Sequence, residues 1–183
     1  MTARSGMTTA VLILAALLAG CGQQVAGAPS ASDPAGPSGA DSALASFDPC
    51  TVLSDAEIAE LGFRPETRRP IDMLGQVGCA YLAERGSPLL GLRLEKDLEE
   101  TVADYAARAD GVFDVFRENR VNGRTGAALV LVADGRECTQ LLNAGSGTVA
   151  VGWEIDDPGP VDPCDEALRV AKLIEPELPA VGS

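Results

Sequence analysis

The tripeptide Asp-Pro-Cys occurs twice, at Asp48-Pro49-Cys50 and Asp162-Pro163-Cys164, and with Cys79 and Cys138 between them these cysteines constrain the fold more than any other feature. Each copy has the chemistry of a helix start. Aspartate caps free backbone N–H groups, and proline at the first helical position gives up no hydrogen bond. The cysteine then falls in the first turn, where the helix dipole can acidify a thiol. Redox sites of that kind carry a C-x-x-C partner, which neither copy has. A nucleophilic cysteine needs a base, and the chain contains no histidine. Zinc sites use closely paired ligands, whereas these four cysteines lie far apart. The reading that remains is two structural disulfides, which presupposes export to an oxidising compartment.

The first twenty residues read as that export signal. Arg4 is followed by an unbroken apolar run from Ala10 to Leu18. The run is shorter than the roughly 20 residues needed to cross a bilayer. Leu18-Ala19-Gly20-Cys21 then matches the lipobox of bacterial lipoproteins, small residues before a cysteine that becomes the lipidated N-terminus. One acyl chain holds a protein to a membrane only marginally and two suffice, so a lipidated Cys21 would anchor the chain without spanning. The expected location is the cell membrane, on its extracytoplasmic face. Residues 21–46 are mostly Gly, Ala, Ser and Pro and bury too little apolar surface to offset ordering entropy, so they read as a flexible tether. Residues 47–183 then form one globular domain.

A formal net charge of −13 argues against nucleic acid, whose phosphates call for a basic surface, and against close contact with anionic lipid headgroups. Its plainest effect is solubility.

Within the domain, Ser54-Asp55-Ala56-Glu57 is a capping box opening a short helix that Gly62 can end. Arg64 to Gly78, with Pro65 and Pro70, reads as irregular connection. Val77–Glu84 and Leu89–Lys96 read as strands joined by Arg85-Gly86-Ser87-Pro88, with Leu90, Leu92 and Leu94 on one face. Asp97 and Glu100 suggest a helix running to Ala109, and Phe113–Val121 a strand ended by the turn Asn122-Gly123. Ala127–Ala133, Arg136–Asn143 and Thr148–Ile155 follow as strands, the last with Val149, Val151, Trp153 and Ile155 facing one way. A final helix from Pro163 stops before Pro176. This order predicts an α+β fold: an antiparallel sheet of about five or six strands with about three helices, a two-layer sandwich stapled by two disulfides.

The Phe-Asp-Pro-Cys opening after a Ser/Pro-rich tether, the helix ending Leu61-Gly62, the strand Cys79-Ala80-Tyr81, the lone Cys138 and the closing Asp-Pro-Cys helix together resemble a family of actinobacterial lipoproteins known only as a domain of unknown function. The resemblance implies an exported, lipid-anchored module and supplies no activity. Four cysteines allow three pairings. The preferred one joins Cys50 to Cys79 and Cys138 to Cys164, each bond pinning a terminal helix onto the sheet.

Candidate chemistry is sparse. Glu154, Asp156, Asp157, Asp162, Asp165 and Glu166 crowd one span and could serve as acid–base groups, but they lack the alternation of a calcium loop and fit helix capping and solubility better. Gly145-Ser146-Gly147 lacks the flanks of a nucleophile elbow or a phosphate loop and reads as a hairpin turn. Trp153 lies on the apolar face and reads as core. The sequence therefore predicts no catalytic residue, metal or cofactor. It points to a non-catalytic binding or accessory module of the cell envelope, with a protein or small ligand as partner. The alternatives are a small apolar ligand or solute carrier and, less favoured, a carboxylate-dependent hydrolase.

Overall fold

The computed structural model describes residues 39–73, 76–83, 91–156 and 159–182. The apolar leader, Cys21, the tether as far as residue 38, the turn Arg85-Gly86-Ser87-Pro88 and Asp157 lie outside these described residues. Among the described residues no helix is long and apolar enough to cross a membrane.

Among the described residues seven strands form one antiparallel sheet: β1 (Arg69–Met73), β2 (Gln76–Leu82), β3 (Gly91–Asp97), β4 (Val115–Val121), β5 (Arg124–Val130), β6 (Glu137–Ala144) and β7 (Gly147–Glu154). Their spatial order is β1-β2-β3-β7-β6-β5-β4, so two meanders meet where β3 pairs with β7. Four α-helices accompany them among the described residues: α1 (Gly39–Ser46), α2 (Asp55–Glu60), α3 (Val102–Ala107) and α4 (Pro163–Ile174).

The sheet has seven strands rather than the expected five or six. The additional one is β1, which the two prolines had made look irregular. Pro65 instead opens a short 3-10 turn, and Pro70 sits in an edge strand, where a missing N–H is tolerated. The helix count is also higher, because Gly39–Ser46, the end of the expected tether, folds as α1 and puts Leu44 fully into the core.

Strand pleating divides the sheet into two faces. Leu92, Leu94, Val149, Val151 and Trp153 project to an inner face, where they pack with Leu44, Ile58, Phe63, Val170 and Ile174. Trp153 meets Phe63 edge-on, ring centroids 4.9 Å apart, so the only tryptophan is a core residue. In α4 the buried residues Ala167, Val170, Ala171 and Ile174 recur at the spacing of one helix face. The other face of the sheet is not bare, as a strict two-layer sandwich would leave it. There Val102 and Tyr105 of α3 pack on Ala127, Leu129, Leu141 and Ala150, flanked by Phe113 and Phe116.

α3 starts later than Asp97 and Glu100 suggest. Asp97 is the last residue of β3, paired with Thr148, and its carboxylate accepts from the backbone N–H groups of Glu99 and Glu100. The helix is capped instead by Thr101 and Asp104 in a reciprocal capping box.

The two Asp-Pro-Cys copies begin alike and end differently. In each, the aspartate Oδ1 accepts from the cysteine N–H at 2.8 Å. At Asp162 the chain continues as α4. At Asp48 it makes a single turn, closed by Thr51 N–H to the Asp48 carbonyl, and the next helix waits for its own cap at Ser54. The first copy is therefore a turn and not the expected helix start. The shared tripeptide sets a local cap, and the residues beyond it decide whether a helix grows. Cys50 is bonded to Cys79 on β2, and Cys138 on β6 to Cys164 at the start of α4. Cys79 and Cys138 are fully buried.

Candidate functional site

Gly145-Ser146-Gly147 forms the β6–β7 turn, and its glycines are required by close approach. A Cβ on Gly145, which has φ +56°, would lie 2.6 Å from the Ala40 carbonyl oxygen, and one on Gly147 would lie 2.0 Å from that of Asp97. Ser146 donates to the Leu98 carbonyl, at 3.4 Å. The motif therefore seats α1 and the end of β3.

The acidic residues crowded in sequence separate in space. Asp162 caps α4, Asp165 and Glu166 occupy its first turn, and Glu166 pairs with Arg169. Glu154 ends β7, directly opposite Glu137 and 3.8 Å from Arg93. With Asp134, Arg136 and Asp156 these two glutamates line a shallow depression of about 230 Å³. Among the described residues no three His, Cys, Asp or Glu side chains are grouped to hold a metal ion.

Two lysine and arginine positions that the sequence reading passed over are better placed. Lys96 follows Leu92 and Leu94 in the inward phase of β3 and is buried. Its ammonium donates to the carbonyls of Leu44 (3.2 Å), Ala45 (2.6 Å) and Phe47 (2.6 Å) at and just beyond the C-terminal end of α1, where the Leu44 carbonyl also accepts from Phe47 N–H. Burial lowers its pKa, and Asp48 partly opposes that. The phase of the lysine was the available signal. Arg124 acts similarly, pairing with Glu175 at 2.8 Å and donating to the carbonyls of Asn143, Leu178 and Pro179, which fastens the C-terminal segment.

The outward residues of β3 are Arg93 and Glu95. Both lie flat on the outer face over in-strand glycines. A Cβ on Gly152 would sit 3.3 Å from Arg93 Nε, and one on Gly78 would sit 2.8 Å from Glu95 Cγ. Glycine inside a strand weakens it and marks such close approaches, which is the signal that could have found this pair. The Arg93 Nε is buried without a hydrogen-bond partner. Burial raises the Glu95 pKa, offset in part by Arg93. Both side chains border an open groove of about 210 Å³ whose apolar wall comes from Tyr105, Phe113, Leu129, Leu131 and Leu141. Leu131 is 53% exposed. A desolvated carboxylate beside a guanidinium and exposed apolar surface costs stability, and groups perturbed in this way cluster at functional sites.

A family model described as "Protein of unknown function (DUF3558)" matches residues 16–177. The chain belongs to this family. The match takes in all seven strands, the four cysteines of the two disulfides and both members of the Arg93–Glu95 pair. Comparison with curated proteins found no match, and comparison with solved structures found none either. Family membership assigns no chemistry to the groove, so its function has to be argued from its own residues.

Proposed function

We propose that this chain is a non-catalytic binding module of an actinobacterial cell envelope, held on the extracytoplasmic face by lipid on Cys21, and that it acts by contacting a protein partner. The observation that carries the reading is the outer-face groove beside Arg93 and Glu95, open to solvent, with exposed Leu131 at its rim. At about 210 Å³ the groove falls below the roughly 300–1,000 Å³ of pockets that enclose drug-sized ligands, which favours a protein contact over an enclosed small ligand at this site. Against the hydrolase alternative, the acids nominated from sequence are spread over a strand end and a helix cap. The anchor rests on Leu18-Ala19-Gly20-Cys21 following an apolar run.

Two measurements test this. Cys21→Ala should move the protein from the membrane fraction to the soluble extracytoplasmic fraction, and unchanged fractionation would remove the lipoprotein reading. A photo-crosslinking residue at position 139 on the outer face should yield discrete protein adducts in the native cell. The same residue at position 172, on α4, should not. Equal labelling at both would show that the groove is not the contact surface.

A further inference from the structure

The binding reading leaves open what the groove recognises, and its chemistry narrows the choice. The Arg93 side chain is 36% exposed, with its guanidinium 3.8 Å from Glu154, and Glu95 borders the same groove beside it. A carboxylate ligand would satisfy Arg93 but would meet Glu95 together with Glu137 on the groove wall and Glu154 beside Arg93. An ammonium would satisfy Glu95 and face the guanidinium. A neutral secondary amide carries an acceptor and a donor together, and a peptide backbone presents one such group per residue. Beside the polar pair, Phe113 stacks between Tyr105 and Phe116 with centroids 6.4 and 6.0 Å away, and Leu129, Leu131 and Leu141 continue the apolar surface. About 210 Å³ is room for one large side chain and not for a longer tail.

We propose that the Arg93–Glu95 groove holds one large apolar residue of an extended peptide segment of the partner protein, whose backbone amide is shared between the Arg93 guanidinium and the Glu95 carboxylate. The side chain rests against Phe113 and Leu131. This rests on the binding-module reading and adds the chemistry of the contact. An amide N–H donated to the Glu95 carboxylate would offset part of the desolvation that this group already carries.

The test uses the full chain in lipid nanodiscs, with amide chemical shifts read during titration with N-acetyl-Gly-Leu-Gly-amide and its Phe and Lys counterparts. The expected result is saturable shifts confined to residues 93–95, 139–141, 150–152 and the segment from Tyr105 to Phe113. Affinity should be at least fivefold weaker for the lysine peptide. Glu95→Gln, Arg93→Met and the rim variant Leu131→Asn should each weaken the leucine peptide at least threefold, whereas Leu173→Asn on α4 should leave it unchanged. Leu131 is exposed, so its variant keeps the test valid if changing Arg93 or Glu95 perturbs folding. Equal response to decanoate would assign the groove to acyl chains and overturn the peptide proposal. Groove shifts that grow with protein concentration alone would assign it to a second copy of the chain, with the same consequence. Peptides that shift nothing while position 139 still crosslinks to a protein would overturn this contact and leave the binding-module reading standing.

Discussion

Lys96→Met removes the ammonium that holds the C-terminal end of α1 while keeping the length of the side-chain stem. The carbonyls of Ala45 and Phe47 lose their donor, while that of Leu44 keeps the Phe47 N–H. A buried polar group left unsatisfied costs about 1–3 kcal/mol, so two would cost a few if α1 stayed in place. α1 has a cheaper response, which is to leave the surface and let water satisfy the carbonyls. Leaving exposes Leu44, fully buried in the core, at about 1.5–3 kcal/mol. Against this, the variant no longer buries a cation. The expected loss is therefore about 2–3 kcal/mol, bounded by the cost of undocking one helix. Amide hydrogen exchange would show the effect in residues 43–47 and not in α4, and urea unfolding would give its size. A pH series adds a sign. Burial lowers the Lys96 pKa below its ordinary 10.5, so the unfolded chain holds this proton more tightly than the folded one. Stability in the parent should then rise as pH climbs from the lowered value towards 10.5, and the variant should lack that rise. A loss below about 0.5 kcal/mol with unchanged exchange at residues 43–47 would refute the reasoning.

Glu95→Gln should stabilise the protein at pH 7. The folded carboxyl keeps its proton above the ordinary 4.5, so parent stability falls as pH rises through that window while the variant's does not; a urea midpoint lowered at pH 7 would contradict this. Replacing Cys138 and Cys164 together by serine opens a bond between residues 26 apart, for which loop entropy predicts a loss of about 3.5 kcal/mol, and a loss under about 1 kcal/mol in urea unfolding would show that the bond constrains little. Gly147→Ala should cost about 1–3 kcal/mol because its methyl meets the Asp97 carbonyl, while Gly39→Ala, with open space around it, should be neutral by thermal melting. If both alanines behave alike, the packing of the β6–β7 turn is not what selects the glycine.

Local chemistry was legible wherever neighbours in sequence are also partners in space. Ser54 and Glu57 form the capping box their spacing implies, with Ser54 N–H donating to Glu57 at 2.8 Å. Asn122 and Gly123 both adopt positive φ in the β4–β5 turn, as an Asn-Gly hairpin requires. The alternation of Val149, Val151 and Trp153 placed the core face of β7 correctly, because pleating depends only on period. What escaped were the elements whose local signals mislead: β1 behind its prolines, α1 in a sequence composed like a linker, and the first Asp-Pro-Cys, which stops after one turn.

The candidate site was hidden for a different reason. Arg93 and Glu95 are visible in the sequence as polar residues between leucines, which says only that they face away from the core. Their partners Gly78 and Gly152 lie on strands that the fold brings to either side of β3, and the apolar wall comes from α3 and the strands β5 and β6 of the second meander. By itself the sequence determined pleat, caps, turns and the need for two disulfides, all of which act over a few residues or follow from composition. Tertiary structure alone decided that β3 pairs with β7, because nothing local encodes which strands of two meanders meet. That pairing lays Arg93 across Gly152, as the β2–β3 pairing lays Glu95 across Gly78, and together they turn a stretch of ordinary strand into a groove.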